Sequence, residues 1–399
     1  MSGSIKRLGL GLLLLLLLGV VVLAVKFAAR QRVINNKLSE LQKAGKPVSV
    51  NEIAKLNPPL SPAIKTLQDL AAPLRLMDEA VTLAVPNTAD EAKDEEARVT
   101  KYRAFDADNP ELIPLLRDAA NEPFGGSMSH LTSANGLVEE LNEAVSLLRG
   151  AARALRYHAA VALEDGRTDE AMLDAIAILN WADHAGREPS MIAYLTHLAV
   201  RGGGGELAAQ CLYRGDGSAA VRQQLIKTLA DYDRAKAWAW AIDSERAVML
   251  TLQDENFGVA KHMMTFSGMT ADLLDTVENF EKLGAQPSGG AGTSNATVGL
   301  SAIVASALAA GLTAGRRVQT QTQAVLILAA WQDAGDDQAT DVNALGLPTE
   351  IITDPVDGAP MKIRLSEKGP VIYGVGQNGV DDGGAIDDDS DAGIAPVTT

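Results

Sequence analysis

A single cysteine, Cys211, serves the whole 399-residue chain, so no internal disulfide staples the fold and its stability must come from packing. Its neighbours Leu207, Ala208, Ala209 and Leu212 make it a buried small hydrophobe rather than a reactive thiol. Aromatic residues reach only 4%, while Ala and Leu are abundant, which suits close-packed helices better than a sheet sandwich. Basic residues are in deficit. The net charge of −16 argues against nucleic acid as a partner, because phosphate binding needs clustered Lys and Arg. Signatures of chemistry are also missing. His130, His158, His184, His197 and His262 lack HExxH spacing, and no Walker-type phosphate loop occurs. Ser127 and Ser129 beside His130 have neither the GxSxG elbow nor a placed acid. Gly374, Gly376 and Gly379 spell GxGxxG, but acids follow where a helix would have to open onto a pyrophosphate. The chain is therefore expected not to be an enzyme and to carry no organic cofactor.

What is present begins with eighteen uncharged, mostly aliphatic residues from Leu8 to Val25, long enough at about 1.5 Å per residue to cross a bilayer core. A signal peptide would have a shorter apolar region and a small-x-small cleavage site, which Val25 to Ala29 does not offer, so an uncleaved single-pass anchor is expected. Lys6 and Arg7 precede the run, and Lys26, Arg30, Arg32 and Lys37 follow it. That asymmetry leans toward a cytoplasmic body by the positive-inside rule.

Beyond the anchor, helical periodicity dominates, interrupted by Asn57-Pro58-Pro59 and restarting at Ile64, at Asn109-Pro110 and, most strongly, after Ser133. Leu137, Leu141, Ala144, Leu148, Ala151 and Leu155 form one apolar stripe that another helix must cover. A Gly-containing break at Glu164 to Arg167, with Thr168 as the next cap, predicts a helical hairpin. The run AVALEDGRTDEAMLDAIAIL resembles one tetratricopeptide-type hairpin with Ala171 at the crossing, though no second copy follows. Gly202 to Gly205 reads as a further break, and Trp238 and Trp240, two apart, cannot share one helical face. The expected divisions are an anchor (1–30), a body of stacked helical hairpins (31–283), a Gly/Ser linker (284–296), a long helix with a β-hairpin (297–376) and an acidic tail (377–399) whose end, from Asp387, is disordered. The fold class is mainly α with a small β element.

The ending carries the most specific pattern. Met361, Ile363 and Leu365 alternate with Lys362 and Arg364, and Val371-Ile372-Tyr373 supplies a partner strand across a turn at Lys368-Gly369-Pro370. Asp354, Pro355, Gly358, Pro360, Gly369, Tyr373, Gly376, Asn378, Gly379, Asp381 and Asp382, after a helix and the acidic loop Asp333 to Asp337, form an ordered motif. Over about 80 residues it resembles the end of type II secretion pseudopilins, and more closely a group of bacterial anchored proteins that join a helical body to this ending. Val356 stands where that pattern usually has an aromatic, and the anchor lacks the Gly-Phe processing pair of pseudopilins. The resemblance implies a bacterial inner-membrane protein with an exported body, and a calcium site at Asn378, Asp381 and Asp382. The residues alone also fit a plain Asn-Gly turn with solvated acids. An interaction scaffold is the expected function, with a calcium-binding component of a secretion or pilus-like assembly as the alternative.

Overall fold

The computed structural model describes residues 2–56, 61–82, 91–123, 133–256, 264–265, 267–286, 300–335, 340–387 and 390–396, with side chains in the first helix placed from Leu18 onward. Asn57-Pro58-Pro59, Ser127, Ser129, His130, His262, linker residues 287–295, Asp336, Asp337, Asp388 and Asp389 lie outside the described residues. The chain is mainly helical with one small antiparallel sheet. Helix α1 (Ser2–Lys43) is continuous from the apolar run into the polar segment after it. The transmembrane character expected of it is not found: among the described residues no helix is long and apolar enough to cross a membrane. Residues 8–17, most of the apolar run, fall before the point where side chains are placed.

Short helices α2 (Val50–Leu56), α3 (Pro62–Asp69), α4 (Ala71–Met77, continued by a π-helical turn at Asp78–Thr82), α5 (Glu91–Asp108) and α6 (Leu112–Ala120) cover the long helix α7 (Ala134–Glu164) and its partner α8 (Thr168–Gly186). Ser133 caps α7 by accepting the Gly136 N–H, as the sequence predicts, and every residue of the Leu137 to Leu155 stripe is buried. The hairpin turn forms at Gly166, which takes φ +74°. Arg167, not Thr168, occupies the cap position of α8, and Thr168 is the first helical residue.

The break expected at Gly202 to Gly205 does not occur. Helix α9 (Met191–Arg214) runs straight through the four glycines and ends at Gly215. The reason is packing. A Cβ on Gly204 would sit 3.1 Å from Ile178 and Leu179 of α8, so α8 and α9 approach more closely than any larger residue allows. On the other side, Gly202 and Gly205 abut Gln321 of α13 (Leu300–Ala334). Glycine's usual helix penalty of about 1 kcal/mol is offset here by contact with two neighbours at once.

After α10 (Ala219–Ala230) come α11 (Arg234–Asn256), α12 (Met269–Ala285) and α13, which share a core with α9 built on Tyr194, Trp238, Phe280, Leu308 and Leu312. Trp238 is buried and donates its indole N–H to the Phe280 carbonyl, whereas half-buried Trp240 donates to Arg187, so the pair divides between core and groove. The second half of α13, Ala324 to Ala329, belongs to the main core with α8 and α9. Residues on both sides of the 284–296 segment thus share common cores. A short helix α14 (Thr349–Ile352) leads into β1 (Lys362–Ser366) and β2 (Gly369–Gly374), which pair antiparallel about a two-residue turn at Glu367-Lys368. A third strand, β3 (Ala392–Ile394), pairs with β2. This corrects the expected disordered ending: Gly393 lets the strand lie against Ile372, where a Cβ would come within 2.1 Å of the backbone carbonyl.

The glycine account is tested by two substitutions on one helix. Gly204→Leu overpacks the α8 contact and is expected to lower stability by about 1–3 kcal/mol. Gly203→Ala, which meets only the Arg156 side chain at 3.7 Å, should raise it by about 0.5–1 kcal/mol. Thermal melts of both variants read the opposite signs; a neutral Gly204→Leu would remove the account.

Candidate functional site

The sheet seats on α13, and two buried carboxyl groups hold the connections around it. Asp354, 2% exposed, accepts the Val356 N–H at 2.8 Å and the Val375 N–H at 2.6 Å, tying the Asp-Pro turn to the end of β2. Gly374 makes room for it, since a Cβ there would lie 2.4 Å from the carboxylate oxygen. Burial pushes the Asp354 carboxyl up to about 6, against the pull of the two N–H donors. Asp391, wholly buried, accepts the N–H groups of Asp382 and Gly384 at 3.2 and 2.7 Å and so closes the acidic loop. The motif residue Asp354 is thereby explained by backbone closure, and Gly376 by the Ser390 carbonyl oxygen, which a Cβ there would meet at 1.5 Å.

The three expected calcium ligands lie on the exposed side of this loop. Asn378 donates its side-chain amide to Asp382 at 2.8 Å and accepts the Val380 N–H. Asp381 accepts the Gly383 N–H and pairs with Lys362 of β1 at 2.8 Å, and this ammonium holds its carboxyl below the usual range. Asn378 and Asp382 are brought together, while Asp381 is turned toward a cation already present. Among the described residues no group of three or more His, Cys, Asp or Glu side chains is arranged to hold a metal ion. A divalent ion entering here would have to displace Lys362 and recruit backbone carbonyls to reach six or more oxygens.

Beside the loop, Thr313, Arg316 and Arg317 of α13 face Val356, Val375, Gln377 and Ser390 across a narrow cleft of about 60 Å³. Arg316 is buried, and burial together with nearby Arg234 lowers its pKa. Neither this cleft nor Lys362 was marked by sequence. Arg316 and Arg317 sit in a Gly/Ala-rich helix with no pattern that announces them, and Lys362 reads as an ordinary outward strand residue.

Buried polar clusters inside the body were also not foreseen. Asp174, fully buried, receives Arg117 Nε at 2.7 Å and His158 Nδ1 at 2.6 Å, and desolvation pushes its carboxyl up against both partners. His197 bonds the Ala182 carbonyl at 2.7 Å, with Gly186 leaving just enough room for its ring. Arg201, buried, lies 3.8 Å over the Tyr232 ring and pairs with Asp183. These groups bind helix to helix, since each joins residues distant in sequence, and none opens onto a described cleft. Comparison of the chain with protein-family models, curated proteins and solved structures finds no match.

The shifted groups predict opposing pH effects. Burial lowers His184 and His197 to about 4, so the unfolded chain takes up their protons first as pH falls from 6.5. Each removes about 3 kcal/mol of stability by pH 4. Asp354 acts the other way: its raised pKa means that the folded state gains about 2 kcal/mol as pH falls from 6 to 4. Asp354→Asn should therefore differ from the wild type by an amount that changes across this window. Chemical denaturation of both at pH 7 and pH 4 measures it, and a constant difference would contradict the assignment.

Proposed function

We propose that the chain is a single-pass envelope protein, anchored by Leu8 to Val25, whose helical body serves as a scaffold for a protein partner. The observation carrying this reading is the continuity of α1. One 42-residue helix takes the apolar run directly into the body, where Lys37 pairs with Asp275 and Lys46 with Glu281 of α12. A run this apolar has no core to enter when it leads a rigid polar helix outward, and lipid is the solvent that accepts it. Leu18, Val20, Val21 and Val25 are exposed accordingly. Stacked hairpins behind it present broad helical surfaces, and no reaction is proposed for them. The resemblance to pseudopilins supports a bacterial inner membrane for the anchor, with the body outside the cytoplasm.

A second reading rests on the helix, sheet and acidic loop at the end of the chain. There the protein is a pseudopilin-related component of a secretion assembly, with calcium at Asn378, Asp381 and Asp382. Crosslinking of the full-length protein in its native membranes, with and without added calcium, tests both. Recovery of one defined partner under both conditions is the expected result. A partner captured only with calcium would favour the secretion-assembly reading, and recovery of the protein alone in either condition would contradict the scaffold.

A further inference from the structure

We propose that the part of α1 between Val25 and Lys43 is a strap, clasped to α12 by charge and able to lift away about a pivot at Gly45, which gives the body a docked and an extended position. The movement stands on contacts inside the chain, and only its direction relative to lipid rests on the anchor reading of Leu8 to Val25.

Little apolar surface holds α1 down. Among the described residues from Leu18 to Lys43, Ile34 is the only fully buried side chain, with Phe27, Leu38 and Leu41 half-buried. None of the three apolar cores contains a described residue of α1. Near the end of the helix an open groove of about 250 Å³ runs between Leu41 and Ala44 on one side and Leu274 and Glu278 of α12 on the other. Packed helix pairs leave no such space.

Charge supplies most of the hold. Lys37 pairs with Asp275, and Lys46, just past the end of the helix, pairs with Glu281, which also faces Arg246 at 3.5 Å. Asp275 keeps 56% of its side chain open to solvent, and Lys37, Lys46 and Glu281 are each about a quarter open. Pairs as exposed as these shift an equilibrium by about fivefold or less each, and salt weakens them.

A fixed point follows directly. Gly45 takes φ +72°, and the N–H groups of Gly45 and Lys46 bond back to the Gln42 and Leu41 carbonyls and close the helix. Beyond it Pro47 is buried, the Val50 N–H donates to the Thr251 hydroxyl at 3.0 Å, and Val50 and Ile53 enter a core with Leu137, Leu141 and Val248. The chain is thus held firmly from Pro47 onward and lightly before Ala44. Lifting the strap places its dihedral changes on Ala44 to Lys46, where Gly45 has open space around it. Once lifted, the eighteen residues from Lys26 to Lys43 form a free stalk of roughly 27 Å, which lets the scaffold reach a partner farther from the membrane.

The test uses full-length protein in lipid nanodiscs, carrying Cys211→Ala and a nitroxide pair at Ser39→Cys and Asn279→Cys, both exposed positions on α1 and α12. Electron-spin distance distributions are recorded as NaCl rises from about 0.1 M to about 1 M, which cuts the screening length from about 10 Å to about 3 Å. One short distance at low salt, joined by a longer one at high salt, is expected. Lys37→Glu should raise the longer share by about fivefold at low salt, and Asp275→Lys added to it should restore the short distance. A single unchanged distance in either the salt series or Lys37→Glu overturns the strap, and so does a longer share that Asp275→Lys fails to reverse. Because the distance is internal to the chain, it reads the strap whether or not Leu8 to Val25 enters lipid; carbonate extraction reads the anchor separately.

Discussion

Close approach of helix α9 to both α8 and α13 is the constraint on which the rest of the structure depends. Gly204 removes a side chain where α8 presses in, Gly202 and Gly205 lie in ordinary contact with Gln321 of α13, and Gly311 and Gly315 make room on α13 for Met191 and Tyr194. A chain with few aromatics cannot fill wide gaps between helices, so it closes them instead, with Ala and Gly at the crossings. This lets one helix, α13, belong to two cores and carry the sheet on its outer surface. Among the polar groups trapped by that closeness, Asp174 is matched to Arg117 and His158, as a dry interior favours.

The carboxyl-terminal module obeys the same economy of space by different means. Three short strands bury little, and Asp354 and Asp391 supply what hydrophobic area does not: Asp354 joins the N–H groups of Val356 and Val375 from two segments, and Asp391 gathers those of Asp382 and Gly384 in the acidic loop. Burying them is unfavourable, and the elevated pKa of Asp354 records it. In exchange the exposed acids are left in a loop of defined shape. Asp381 is held by Lys362 and Asp382 by Asn378.

Much of this was legible in the sequence wherever local rules decide. The Ser133 cap, the buried stripe to Leu155, the break at Gly166 and the β-hairpin all follow from residue spacing and turn chemistry. Tertiary packing defeated those rules at Gly202 to Gly205, because a glycine run that stops an isolated helix becomes the best fit when two neighbours abut it. The third strand was hidden for a related reason. Ala392-Gly393-Ile394 has little strand propensity, and only an open edge on β2 together with the Asp391 bonds draws it into the sheet. Of the candidate site, Asn378, Asp381 and Asp382 were named through the pseudopilin resemblance, whereas Lys362 and the Arg316-Arg317 pair could not be, since their meaning lies in what the fold sets opposite them.

Function then turns on α1. Helix α1 is pinned to α12 through Lys37 and Asp275, and the proposed function takes lipid to be the solvent of its apolar first half. Alkaline carbonate extraction of membranes carrying the full-length chain tests this most directly. The account predicts that the protein stays in the membrane pellet and that deletion of Leu8 to Val25 moves it to the supernatant; release of the intact chain by carbonate would contradict it.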